Sequence, residues 1–124
     1  MWPLTRGRER EIIDDPDLLR LLHRHGVDVY ASGHHHAYYA GVDEAGMVHL
    51  GVGALGGNAR AFSGQRRTQP HSFALLTLAD VAVSVAARAA PGFEDDVLPA
   101  DLPASVAGPL GTLQRVAQPV RLRP

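Results

Sequence analysis

The chain has 124 residues, a length that suits one domain or part of one. Hydrophobic residues make up 45% and charged residues 20%, which is enough for a packed core, and the formal net charge of −1 gives no overall attraction to nucleic acid or anionic membranes. The absence of cysteine excludes disulfides, thiolate zinc sites and a cysteine nucleophile. No signal peptide or membrane-length apolar run is visible in the sequence, and the compartment stays undetermined.

The first predicted element is a helix that follows a charged, irregular entry over residues 1–13. Asp14 or Asp15 can cap this helix, and Pro16 fits its first turn because that position needs no N–H partner. Four leucines give it an apolar face, and Gly26 is a natural terminator. A short buried strand over residues 27–32 is expected next.

Two hairpins are predicted after that strand. Residues 37–41 and 47–52 flank a turn at Asp43 to Gly46, which favours the first hairpin. The glycine-rich stretch 51–57 predicts a tight loop, and the polar, basic stretch 58–71 predicts an exposed one. Apolar runs at 72–78 and 81–87 predict the second hairpin.

The composition changes after residue 90, and this change predicts that the chain is divided into two regions. Residues 1–90 are expected to form the folded part of the chain. Residues 91–124 are rich in proline and alanine, so we expect a largely irregular tail with one short helix near 110–117.

The sequence Ser32-Gly33-His34-His35-His36 directly follows the predicted buried strand. Neutral imidazole is the commonest metal ligand in proteins near neutral pH. In an extended segment, residues i and i+2 point to the same side, so His34 and His36 are the candidate metal ligands and His35 points elsewhere. The alternative is a polar loop whose histidines face solvent.

The order of helix, strand, Gly-His-x-His, hairpin and glycine-rich turn resembles the C-terminal part of the calcineurin-like metallophosphoesterases, which include the purple acid phosphatases. The resemblance covers about residues 15–90, and Gly53, Gly56 and Gly57 are similar to the family's glycine-rich turn. It implies an α/β fold, or α+β for the isolated chain, as the C-terminal half of a four-layer sandwich with one helix and mostly antiparallel strands.

The same resemblance implies a hydrolase of phosphate esters with two divalent or trivalent metal ions, iron, manganese or zinc. His34 would bind one ion and His36 the other. Paired ions of this kind lower the pKa of bound water and stabilise the attacking and leaving oxygens. His35, Tyr38 and Arg60 are candidate substrate-binding residues. The alternatives are a solvated basic loop for Arg60 and, for Tyr38 and Tyr39, one ring that packs under the sheet and one that is exposed.

The family's upstream Asp-x-His, Gly-Asp and Asn-His signatures are absent before His34. We therefore expect this chain to be the C-terminal portion of a larger enzyme, inactive by itself, that pairs with a missing N-terminal lobe or with a second copy. The alternatives are a non-catalytic metal-binding or interaction module and a degenerate fragment. The glycines of Gly51-Val52-Gly53-Ala54-Leu55-Gly56 match a dinucleotide fingerprint, but no helix is expected to follow, so a structural turn is favoured.

Overall fold

A computed structural model describes residues 1–5, 7–96, 102–116 and 119–121. Within these ranges the chain has one helix and nine strands, so its broad class is α+β, as predicted for the isolated chain. The helix is α1 (Pro16–Arg24), and the strands are β1 (Val29–Ser32), β2 (Tyr39–Val42), β3 (Val48–Gly51), β4 (Ser72–Leu78), β5 (Ala82–Ala89), β6 (Asp95–Asp96), β7 (Ser105–Gly108), β8 (Gly111–Arg115) and β9 (Val120–Arg121).

Helix α1 begins and ends where its sequence signals predict. The Asp15 carboxylate accepts the N–H groups of Asp17 and Leu18 at 2.9 and 3.4 Å, and Gly26 after the helix has a φ of 67°. Three of the leucines pack against the core, whereas Leu21 stays 51% exposed. No helix in the described ranges is long and apolar enough to span a membrane.

The first sheet has the strand order β1-β3-β2-β8-β7. Strands β2 and β3 form the predicted antiparallel hairpin, and β1 lies parallel to β3 on its other side. The parallel register joins Val29 to Val48 and ends at Ser32 and Gly51. The carboxyl ends of β1 and β3 therefore lie at the same edge of the sheet.

The second sheet is built on the second predicted hairpin. Strands β4 and β5 pair antiparallel from Ser72 opposite Ala89 to Leu78 opposite Val83, and β6 and β9 both pair with β5. Buried Val83 and Ala87 face the core side of this hairpin, while Leu78 near its turn is 70% exposed.

The predicted helix near 110–117 is wrong, because residues 111–115 form strand β8 instead. Strands β7 and β8 make a hairpin that extends the first sheet along β2, which buries Val106 and Leu113. The Tyr39 hydroxyl donates to the Pro103 carbonyl at 3.0 Å, and burial raises the pKa of Tyr39 to about 12, so the donor proton is retained. The tail is therefore ordered over 102–116, and its residues 97–101, 117–118 and 122–124 lie outside the described ranges.

Two further segments are more buried than their polar sequence predicts. The entry segment contributes Trp2 and Leu4 to the core, at 4% and 7% exposure. The Leu4 carbonyl accepts the N–H of Ser63, and Thr5 pairs with Phe62, which is 1% exposed. The loop 58–71 is thus held in place by long-range contacts, and the expectation that it is exposed throughout is wrong.

Candidate functional site

The histidine motif lies at the carboxyl edge of the parallel strand pair. His34 to His36 follow the end of β1, and the glycine-rich loop from Val52 to Gly57 follows the end of β3. Loops at the carboxyl ends of parallel strands are a common place for ligand sites, because rigid strands position the side chains that follow them. The structure confirms the predicted position of the motif after a strand.

The backbone of the motif is not extended. His34 has a φ of 79° and His36 a φ of 57°, both in the left-handed region. Outside glycine this conformation costs about 1–3 kcal/mol per residue, and such strained residues are frequent at functional sites. The extended geometry that suggested a shared direction for the two side chains is therefore wrong, and each ring has its own set of contacts.

The His36 ring is held by the loop that follows β3. Its Nδ1 lies 2.7 Å from the Asn58 carbonyl, which only accepts, so Nδ1 carries the proton. Gly57 packs against the ring so closely that a Cβ there would lie 2.7 Å from Cε1. In the neutral ring Nε2 therefore carries a lone pair, and no described residue bonds to this nitrogen. A backbone carbonyl on Nδ1 with Nε2 available is the usual arrangement of a metal-binding histidine.

The His34 ring contacts charged side chains from the segment before α1. Its Nε2 lies 2.8 Å from a Glu11 carboxylate oxygen, and Arg8 pairs with that same oxygen while lying 3.4 Å from the ring nitrogen. A hydrogen bond from Arg8, and a smaller contribution from the one with His34, hold the pKa of Glu11 below its usual value. The ring is 61% exposed. His34 is therefore accessible, but its Nε2 already has an anionic partner.

His35 has a structural position. It is 6% exposed, its Nδ1 accepts the N–H of Leu4 at 3.2 Å, and its Nε2 donates to the Glu11 carbonyl at 3.1 Å. Both ring nitrogens are used within the protein. The structure thus leaves neither nitrogen of this candidate substrate-binding residue for a ligand.

Tyr38 and Arg60, the other candidate substrate-binding residues, lie in different surroundings. Tyr38 is 7% exposed and Tyr39 is fully buried, so the expectation that one tyrosine is exposed is wrong. The Gln69 side-chain amide pairs with both the N–H and the carbonyl of Tyr38, at 2.7 and 3.0 Å. Arg60 is half-buried, and its Nη1 has no hydrogen-bond partner among the described residues.

Replacing Glu11 with glutamine is expected to raise the affinity of the His34 ring for Zn²⁺, by a factor of about five or less. The substitution removes a charged but exposed partner from Nε2, and exposed ion pairs contribute little. Zinc titration by calorimetry, with Glu9→Gln as a control of equal charge change in the same segment, measures the difference. Weaker binding in Glu11→Gln would show instead that the carboxylate is itself a ligand.

A second group of titratable side chains was not predicted from the sequence. Asp43 at the start of the β2–β3 turn accepts from His23 of α1 at 2.7 Å and from His49 of β3 at 2.9 Å, both on one carboxylate oxygen. Its other oxygen accepts the N–H groups of Ala45 and Met47. We call Asp43, His23 and His49 the Asp43 cluster. It joins the helix to the hairpin, and the sequence contains no local signal for that contact.

The charges of this cluster follow from its burial. Burial opposes ionisation of Asp43, but hydrogen bonds from His49, His23 and Met47 outweigh it and lower the pKa of the carboxyl. Burial lowers the pKa of His49 despite the nearby carboxylate. The Nδ1 of His49 has no partner in the described part of the chain, so protonation would bury an unpaired N–H. The cluster is therefore a charged aspartate with a neutral buried histidine.

Stability is expected to fall as the pH drops below 6.5, the ordinary pKa of histidine. The unfolded chain then takes up a proton on His49 that the folded protein resists, so acid favours unfolding until the folded pKa is passed. A second loss is expected below 3.8, where the unfolded Asp43 protonates before the folded one. Urea unfolding across this pH range measures both losses of stability. The variant His49→Gln should show a weaker dependence of stability on pH just below 6.5. An unchanged slope in that variant would contradict the assignment.

The residues of the motif fit a metal site only in part. His36 has the expected second contact and one nitrogen to which no described residue bonds, whereas His34 is bonded to Glu11. Within the described ranges, no group of three or more histidine, aspartate or glutamate side chains converges on a point that could hold a metal ion. Catalytic metals are normally held by about three protein ligands. The described residues therefore supply single ligands and not a complete centre.

Comparison of the chain with protein-family models, with curated proteins and with solved structures finds no match.

Proposed function

We propose that this chain is the C-terminal portion of a metal-dependent phosphoesterase, to which His34 and His36 each contribute one ligand of a two-metal centre. The observation that supports this most is the His36 ring, whose Nδ1 bonds to the Asn58 carbonyl and whose Nε2 has no partner among the described residues. The Gly-His-x-His resemblance supplies the reaction class, and the half-sandwich architecture is part of the proposal.

The strained backbone at His34 and His36 is a further argument. A loop that served only to connect β1 with β2 would gain nothing from two left-handed, non-glycine residues within three positions. Strain of this kind persists when neighbouring contacts fix it, and here His35 fixes it through its two hydrogen bonds to Leu4 and Glu11. In this proposal His35 is the positioning residue that turns its two neighbours outward.

The remaining metal ligands come, in this proposal, from a lobe that precedes the described fold or from a second copy of the chain. When bound, the metal ions would be iron, manganese or zinc, and they would supply hydroxide and stabilise charge on the phosphate. The task of this chain is to orient the His36 ring through Asn58 and Gly57. It must also release His34 from Glu11.

A non-catalytic module that binds one metal ion weakly is the second candidate. The contact between His34 and Glu11 favours it, because that contact leaves His36 as the motif's free ligand. Both candidates require metal binding at His36. Only the first requires turnover once the other ligands are supplied.

The test is hydrolysis of 4-nitrophenyl phosphate by the purified chain with added Mn²⁺, Zn²⁺ or Fe²⁺, alone and with the residues encoded directly upstream of Met1 fused in frame. The proposal predicts metal-dependent turnover in the fusion that His36→Ala abolishes and that His25→Ala, a histidine outside the site, leaves intact. Metal binding at His36 without turnover in either form would favour the second candidate. The absence of both would contradict both.

A further inference from the structure

A cavity of about 190 Å³ lies beside His34 at the carboxyl edge of β1 and β3. Ser32 and Gly51, the last residue pair of the two parallel strands, form part of its wall. Trp2 and Leu4 of the entry segment form another part, and the exposed side chains of Glu11 and His34 also line the cavity. The cavity therefore adjoins one of the two proposed metal ligands.

The lining of this cavity is mainly apolar. Trp2, Leu4 and Ala37 are all core residues with exposures of 7% or less, and Ile13 nearby is 47% exposed. The ring of His35 also lines the cavity, but both its nitrogens are already bonded within the protein. A ligand with many hydrogen-bonding groups, such as a nucleobase, would lose its water contacts here without replacing them. A hydrocarbon group would not.

The exposed part of the cavity lining, at Glu11 and His34, already stabilises an anionic oxygen. The Glu11 carboxylate lies there between Arg8 and the Nε2 of His34. This carboxylate is exposed, so an incoming phosphate can displace it at little cost and take Arg8 as its partner, beside the ring of His34. The surroundings therefore match a ligand with an anionic group at this exposed part of the lining and an apolar body within the cavity.

Because of this pattern we propose that the cavity binds the aromatic ring of a small aryl phosphate monoester, with the phosphate at Arg8 and beside His34. The volume suits one ring, since a cavity of about 150 Å³ in another protein binds benzene. The proposal rests on the proposed phosphoesterase function for its reaction but not for its binding. The ring would be the alcohol part of the ester, which leaves as a phenol.

Trp2 makes the binding measurable without any metal. It is the only tryptophan of the chain and it lines the cavity, so its fluorescence reports occupancy. The experiment titrates the full chain, in excess chelator, with phenyl phosphate, and repeats the titration with methyl phosphate and with inorganic phosphate. We expect phenyl phosphate to bind at least about tenfold more tightly than methyl phosphate, and phenol to compete with it.

Two variants in the same loop provide the matched comparison. Val52 lines the cavity, whereas Leu55 lies three residues further on, is 58% exposed and does not line it. Val52→Phe should weaken phenyl phosphate binding at least about tenfold by filling the cavity, and Leu55→Phe should change it less than twofold. Thermal unfolding of both variants checks that they fold. If Val52→Phe does not fold, phenol competition in the unaltered chain decides the question.

The outcomes separate the two proposals. Equal binding of phenyl and methyl phosphate, or no competition by phenol, overturns the aryl site whatever the metal chemistry does. Selective binding of the aryl ester in chelator supports the site even if no metal-dependent turnover is found, in which case only the proposed function fails. Turnover with no preference for aryl esters overturns the site and leaves the function standing.

Discussion

Gly57→Ala is expected to weaken Zn²⁺ binding at His36 by roughly tenfold or more, the range found when the supporting contacts of a metal ligand are removed. The added methyl group would lie 2.7 Å from Cε1 and 3.3 Å from both ring nitrogens. The ring must therefore move, and its hydrogen bond to the Asn58 carbonyl lengthens or breaks. The overall fold should change little, because the obstacle is the outer end of one side chain.

Gly56→Ala is the matched control for this substitution. A Cβ at Gly56 meets nothing within 4 Å, although the two glycines are adjacent in the same loop. Calorimetric titration with Zn²⁺ gives the affinities, and the hydrogen-bonded Nδ1–H proton of His36 in an NMR spectrum reports the ring position independently of metal. Loss of that signal in Gly57→Ala alone is the expected result. Equal affinities in the two variants would show that the orientation of His36 does not matter for binding.

Asp43→Ala is expected to lower the free energy of unfolding by about 3 kcal/mol, a large part of the 5–15 kcal/mol that is typical of a domain. The substitution removes the partner of both histidines of the Asp43 cluster, and it removes the oxygen that accepts two backbone N–H groups in the β2–β3 turn. It leaves the ring of His49, which is 5% exposed, without a hydrogen bond on either nitrogen in the described part of the chain.

Urea unfolding measures this loss as a lower midpoint with an unchanged slope. Glu44→Ala is the control, since Glu44 is the exposed neighbour in the same turn, and a change within about 0.5 kcal/mol is expected for it. Asp43→Asn should fall between the two, because the amide oxygen can still accept from the turn. A loss in Asp43→Ala as small as in Glu44→Ala would mean that the cluster does not stabilise the fold.

The elements that the sequence predicts correctly are those with signals in neighbouring residues. Helix α1 has its cap at Asp15 and its terminator at Gly26, and the two hairpins have apolar runs on either side of a turn. Short-range signals of this kind determine where an element begins and ends. They were sufficient for the strand before the histidine motif, and hence for the position of the motif in the fold.

The incorrect predictions concern segments whose structure depends on contacts between residues far apart in the sequence. Trp2 donates to the carbonyl of Gly111, 109 positions away, and this contact links the entry segment with the strand that was expected to be a helix. The tail residues 111–115 become a strand because β2 offers a free edge and because Leu113 then becomes buried. Propensity within the tail could not predict either event, since the partner strand lies some seventy residues earlier.

The candidate site shows the same division. The Gly-His-x-His motif identified His34 and His36, but not the contact of His34 with Glu11 or the contact of His36 with Asn58. The carboxylate of Glu11 precedes the helix in a segment with no periodic pattern, so the sequence offered no reason to place it beside the motif. The positive φ angles were equally hidden, because residues other than glycine adopt them in only a few per cent of cases.

The most direct test of the account is NMR observation of the histidine rings in the ¹⁵N-labelled chain during titration with Zn²⁺. We expect the Nε2 resonance of His36 to shift first, while its Nδ1–H signal persists on the Asn58 carbonyl. The Nε2 resonances of His23 and His49 should stay unchanged because Asp43 holds them. Shifts confined to the histidines outside the motif, or no shift at His36 at any zinc concentration, would contradict the assignment of this motif as a metal-ligating site.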